Sequence, residues 1–177
     1  SLWYSLHQRL DPAAIVEQCR LSRPYGMETV IVDDGWQTLD SNRGYAFCGD
    51  WQPERIPDMR GLVDAVHATG MKLMLWYSVP FVGIYSKKYH EFKDMLLDAP
   101  YNAGGAWPLD PRYKPVRDFL LGVYTDAVKN WDLDGLKLDF IDAFQLCGAS
   151  LQPDDRRDFS SLETALDTLM QDITDAL

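Results

Sequence analysis

Apolar runs and helical spacings alternate along the chain. Trp3-Tyr4-Ser5-Leu6-His7 has the pattern of a short strand, and Asp11-Pro12 that of a helix start, an N-cap followed by proline at the first helical position. Ile15, Val16 and Cys19 give this helix a buried stripe, and Gly26 stands where it should stop. Thr29-Val30-Ile31-Val32 is β-branched and continuous, as in a strand covered on both faces, and it ends in Asp33-Asp34-Gly35-Trp36. A polar, glycine-containing stretch through Trp51 follows, and loops of that length in compact domains are functional or disordered. Leu62, Val63, Val66 and His67 predict a helix over 60–69 that Gly70 ends, and residues 71–77 predict a third strand. Residues 78–107 are less regular. Asp110-Pro111 predicts another capped helix, with Val116, Phe119, Leu120, Val123, Ala127 and Val128 on its apolar face. Residues 133–140 predict a fourth strand, and Ser160 with Glu163 predicts a capping box ahead of a last amphipathic helix.

The order β-α-β-α-β-α-β-α implies parallel strands joined by helical crossovers. A four-stranded open α/β sheet satisfies it. Half of a (β/α)8 TIM-type barrel fits better, because polar and aromatic residues gather at the C-terminal ends of the strands, where such barrels keep their chemistry. A whole barrel takes about 250 residues, so 177 residues predict only the first four units, with 1–177 as one partial catalytic domain. The chain has no initiator Met and stops within a helical pattern, so a piece of a longer protein is expected.

Composition narrows the function. With 17 basic and 27 acidic side chains the formal net charge is −10, which argues against a nucleic-acid backbone binder. There is no run of 18 apolar residues to span a membrane. The first residues have neither the basic start nor the apolar core of a signal peptide, and the compartment stays open. Cys19, Cys48 and Cys147 form no metal spacing and read as free thiols, and His7, His67 and His90 form none either; no metal and no cofactor are expected.

The fourth strand carries the strongest chemical signal. In Gly135-Leu136-Lys137-Leu138-Asp139-Phe140 a period of two places Lys137 and Asp139 on one face. Buried charges are costly unless paired, so this is either a structural ion pair or a carboxylate nucleophile kept ionised by its neighbour. Asp33 and Asp34 reach one ligand together only if the chain turns at Gly35. Two acceptor groups then suit a polyol, although an Asx-type turn explains them as well. Trp76 and Trp51 offer flat faces of the kind sugar C–H surfaces pack on, or simply core packing. Trp36 and Trp131 read as core, Asp110 as a cap, and Asp142 receives no role.

VIVDDGW (30–36), GDW (49–51), GMKLMLW (70–76), LDP…VRDFL (109–120) and DGLKLDF (134–140) occur in one order. Together they resemble the catalytic barrel of glycoside hydrolase family 36, the melibiase-type α-galactosidases, over residues 3–144. The resemblance implies a (β/α)8 barrel and retaining hydrolysis of terminal α-galactosides. It makes Asp139 the nucleophile, Lys137 a sugar contact, Asp33 and Asp34 the pair that binds galactose hydroxyls, and Trp76 part of the sugar pocket; Trp51 joins the substrate-binding set. Retaining chemistry needs a second carboxyl as acid and base, which the resemblance puts on a sixth strand, after residue 177. The chain departs from the family at Leu6, commonly Trp, at Ile141, commonly Asn, and at Trp107, where an Arg often stands. The implied partner is an oligosaccharide, and an open barrel edge also invites a second copy or the rest of a parent enzyme. Rival readings are a non-catalytic carbohydrate-binding half-barrel and a related α-glycosidase or galactosyl transferase.

Overall fold

The structure, a computed structural model, describes residues 1–42, 44–101 and 104–177. They form two compact units, each assembled from separated stretches of chain.

The first unit comprises Ser1–Arg43, Trp51–Tyr77 and Asp126–Asp139. Helix α1 (Trp3–Leu6) is a single turn and α2 spans Pro12–Ser22. Asp11 caps α2 as expected, accepting from Ala14 N–H at 3.1 Å. After α2 a 3₁₀ turn, Arg23–Tyr25, stops at Gly26, whose φ of +87° is a left-handed value that glycine adopts without penalty. Strands β1 (Thr29–Val32) and β2 (Lys72–Ser78) pair in parallel, Thr29 opposite Lys72 and Val32 opposite Leu75. Helix α3 (Met59–His67) connects them and packs on α2. Strand β5 (Gly135–Asp139) completes the sheet in the order β1-β2-β5, so β2 lies in the middle. Ile15, Cys19, Val32, Val63, Leu73 and Leu75 are buried in this unit's core.

The second unit comprises Gly44–Asp50, Ser78–Thr125 and Phe140–Leu177. Strands β3 (Phe81–Gly83) and β4 (Ala106–Pro108) form an antiparallel hairpin, and α4 spans Lys87–Phe92. A Cβ on Gly83 would lie 2.2 Å from the Ala46 backbone, so only glycine admits that approach. Tyr45, Phe81, Tyr101 and Phe140 pack ring on ring, and Phe81 and Tyr101 are 4.5 Å apart. Helix α5 spans Lys114–Trp131, its residues up to Thr125 belonging to this unit, with Val116, Leu120 and Tyr124 buried. The last helix, α6 (Leu162–Ala176), buries Ala165, Leu169 and Ile173.

Three expectations change. Residues 3–6 are helical rather than a strand: Leu6 and His7 bond back to Leu2 and Trp3 at 3.0 and 2.9 Å, and Leu2 N–H donates to Ile31 O in β1. Without a ladder partner, a short segment satisfies its amides locally. Among the described residues, three of the four expected strands form the sheet. Asp110 does not cap a helix, because α5 opens at Lys114. Instead Asp110 is fully buried, holding Arg112 Nε at 2.9 Å and Arg157 Nε at 3.2 Å. Here the full burial of the carboxylate demands cations rather than backbone N–H groups alone. The cap of α6 is Ser161 rather than Ser160, accepting from Thr164 N–H at 3.2 Å.

Leu73→Ala should cost about 2–5 kcal/mol in urea unfolding, because Leu73 is fully buried in the middle strand. The exposed Leu39→Ala should stay within about 0.5 kcal/mol.

Candidate functional site

All six residues singled out by the sequence lie in the first unit. The Asp33-Asp34 pair ends β1, and the chain turns over residues 34–37. Gly35 makes the turn possible twice over. Its φ is +114°, and a Cβ there would lie 2.6 Å from Gln8 Cα. The two carboxylates consequently face different partners. Asp33 Oδ2 takes the Lys137 ammonium at 3.0 Å and the Ser1 hydroxyl at 2.7 Å. Its Oδ1 accepts the Asp34 backbone N–H at 3.0 Å. Asp34 instead sits among amides, with Gln8 Nε2 on Oδ2 and Gln37 Nε2 on Oδ1, both at 2.7 Å.

Lys137 and Asp139 emerge on one face of β5, as the period of two requires. The Lys137 ammonium lies 3.2 Å from Asp139 Oδ2, so one cation joins the ends of β1 and β5. The middle strand contributes the third contact, Trp76 Nε1–H donating to the same Asp139 Oδ2 at 2.9 Å. Trp76 is in turn anchored by its own carbonyl, which accepts from Trp36 Nε1–H at 2.8 Å. The Trp76 ring is 1% exposed, so it enters the site through its N–H edge while its faces are packed. Trp51 is buried too, with its ring centroid 5.9 Å from Trp36 and 6.2 Å from Trp76. Trp51 thus stands behind Trp76 in a cluster of aromatic rings that also includes Tyr77.

Burial and charge set the protonation states. Burial pushes the Asp34 carboxyl up, and the neighbouring Asp33 charge adds to it, while the Gln37 and Gln8 donors pull the other way without cancelling the rise. Burial works against the Lys137 ammonium, but hydrogen bonds to Asp33 and Asp139 outweigh it and hold Lys137 above its ordinary value. Sequence reasoning missed Gln8, Gln37 and Ser1. Gln37 carried a faint signal as the polar residue three after Asp34 in the turn, whereas Gln8 is 26 residues away and carried none.

Among the described residues, Asp64, His67 and Asp132 place three ligand atoms within 4.8 Å of one another. Arg60 pairs with both carboxylates, with Asp64 at 2.9 Å and Asp132 at 3.3 Å, and His67 Nε2 lies 2.7 Å from Asp134 Oδ2.

The melibiase family profile matches residues 2–169. The chain belongs to the melibiase family. Alpha-galactosidase 2 of Pediococcus pentosaceus is 27% identical over 144 residues, covering 77% of this melibiase-family chain and 20% of that protein. The A type blood alpha-D-galactosamine galactosaminidase of Flavonifractor plautii is 30% identical over 141 residues, covering 69% of this chain and 12% of that protein. The crystal structure of the family 36 α-galactosidase AgaA from Geobacillus stearothermophilus superposes with a TM-score of 0.80 at 24% identity, over 98% of this chain and 25% of that one. A variant of AgaA was solved in complex with raffinose. The structural likeness shows the fold, α/β of the barrel type expected from sequence. The chain spans about a fifth or less of the length of the curated relatives it matches.

Because the folded state raises the Asp34 carboxyl, this group favours folding most below its unfolded value and withdraws that contribution as pH rises through the folded one. Wild type should therefore lose stability relative to Asp34→Asn between pH 4 and pH 7, measured by urea unfolding at both. A wild-type advantage that grows over that range would contradict the assignment.

Proposed function

We propose that this chain carries the nucleophile and sugar-binding carboxylates of a retaining glycoside hydrolase for terminal α-galactosides. The observation that carries the reading is the setting of Asp139. It stands at the C-terminal end of β5 with its side chain 36% exposed, and an ammonium and an indole N–H hold one of its oxygens. A nucleophilic carboxylate has to be ionised, accessible and fixed in direction, and these partners supply the charge and the direction. Family membership and the names of the relatives supply the substrate class.

In the proposed double displacement, Asp139 attacks the anomeric carbon as the glycosidic C–O bond breaks, and the leaving oxygen takes a proton from a general acid. Water then cleaves the galactosyl ester, giving its proton back to the same group. That group must lie about 5 Å from Asp139. Asp33 is an unsuitable proton donor, since Lys137 and Ser1 both donate into it. In this reading the acid/base is the carboxyl that the family resemblance puts on a sixth strand. Asp33 and Asp34 act as acceptors for galactose hydroxyls, Lys137 as a donor to the sugar, Trp76 as a support for Asp139, and Trp51 as the indole behind it.

A second reading, hydrolysis of an α-galactosaminide at the same site, is favoured by the likeness to the Flavonifractor plautii galactosaminidase.

In the full-length protein, Asp139→Asn should lower turnover of an aryl α-galactoside by at least about 10³-fold. A 2-deoxy-2-fluoro galactosyl donor should leave its sugar on the Asp139 peptide, read by mass spectrometry. Activity within tenfold of wild type overturns the assignment, binding without turnover in wild type favours a non-catalytic module, and transfer to an added sugar favours a transferase. A rate ratio favouring the aryl α-galactosaminide selects the second reading. Lys137→Met should move the acidic limb of kcat/KM to higher pH, because the nucleophile loses the cation that favours its ionised form.

A further inference from the structure

Asp34 is 2% exposed, Gln8 3% and Gln37 5%, so the two amides rather than bulk water hold most of this carboxylate. The direction of the Gln37 amide follows from its neighbours. The Gly35 backbone N–H lies 3.0 Å from Gln37 Oε1, and since N–H can only donate, the oxygen must face Gly35 and the NH₂ must face Asp34. Gln8 comes from the other side of the carboxylate, on a segment that approaches only because residue 35 has no Cβ. An ionised carboxylate offers about four lone-pair sites. One amide occupies a site on each oxygen, and the Gly35 N–H holds the Gln37 amide in that orientation.

We infer that Gln8 and Gln37 are positioning residues for sugar recognition: a two-amide clamp that keeps buried Asp34 an oriented, acceptor-only group for a single sugar hydroxyl. The inference rests on the proposed reading that Asp34 binds galactose. The clamp answers a specific physical problem. A carboxyl removed from water and set beside Asp33 tends to take a proton, and a protonated carboxyl presents a donor where the hydroxyl needs an acceptor. The groups acting on the Asp34 proton are Gln8, Gln37, the Gly35 N–H and Asp33, while Lys137 on β5 is held by Asp33 and Asp139.

The test uses the full-length protein and calorimetric binding of D-galactose between pH 4.5 and 8, a readout independent of turnover. Gln37→Leu and Gln8→Leu each remove one donor, and each should weaken galactose binding about tenfold near neutral pH. Their affinity should be worst at acid pH and recover as Asp34 ionises. Gln37→Glu should give the opposite slope. At acid pH its carboxyl retains a proton and can donate to Asp34, whereas at higher pH two buried carboxylates repel, so its affinity should fall as pH rises. A purely structural contribution would shift all three variants alike, without a reversal of slope.

Equal affinities across wild type and variants, or a common pH-independent loss, overturn the clamp. Should a leucine variant fail to fold, the slope of Gln37→Glu against wild type decides alone, and a slope matching wild type overturns the clamp. Asp34→Asn separates the two levels of the reading. If it binds galactose as wild type does, Asp34 is not a sugar ligand and the underlying reading fails; if it loses binding while the glutamine variants do not, only the clamp fails.

Discussion

The Lys137 ammonium sits 3.0 Å from Asp33 Oδ2 and 3.2 Å from Asp139 Oδ2, and the placement of both carboxylates follows from that single cation. Asp33 ends β1 and Asp139 ends β5, the two outer strands of a three-stranded sheet, so without a shared cation the carboxylates would face each other as like charges. Opposite unit charges 4 Å apart attract by about 4 kcal/mol at an effective dielectric of 20, against about 1 kcal/mol in bulk water. The two halves of the bridge fall differently within that span. Asp33 is 6% exposed and lies toward the stronger end, while Asp139 at 36% is screened more and stays within reach of solvent. One partner of Lys137 is thus a fixed wall of the site, and the other is the accessible group.

The middle strand adds what a charge alone lacks, which is direction. An ammonium attracts from any angle, but the Trp76 N–H approaches Asp139 along one line, and the packed Trp51 ring and the Trp36 N–H bond to the Trp76 carbonyl hold Trp76 in place. Asp34 shows the complementary solution. Adjacent to Asp33 in sequence, it is held by the neutral amides of Gln8 and Gln37, so the two aspartates present distinct acceptors. The turn at Gly35 separates them.

Much of this was legible in the chain because periodicity carries it. The β-branched run 29–32 is β1, the apolar run 71–77 is β2 within a residue, and the alternation in 135–139 sends Lys137 and Asp139 to one face. Asp11-Pro12 and Gly26 bound the first full helix and its following turn as local chemistry demands. Failures came where a residue's fate rests on distant partners. Residues 3–7 lack a ladder, and Asp110 is claimed by Arg112 and Arg157 rather than by a helix start. Trp76 illustrates the same limit inside the site, since nothing in its sequence neighbourhood tells a stacked face from a donating edge.

The sequence by itself determined which residues sit at strand ends and on which face, because backbone geometry alternates side chains without reference to anything remote. It also determined where the chain could turn, because glycine tolerates what other residues do not. Only the tertiary structure decided who meets whom: Lys137 with Asp33 across 104 residues, Trp76 with Asp139 across 63, and Gln8 with Asp34 across 26. Hydrogen bonds and ion pairs depend on distances of about 3 Å, and local sequence preference does not encode distances across a sheet.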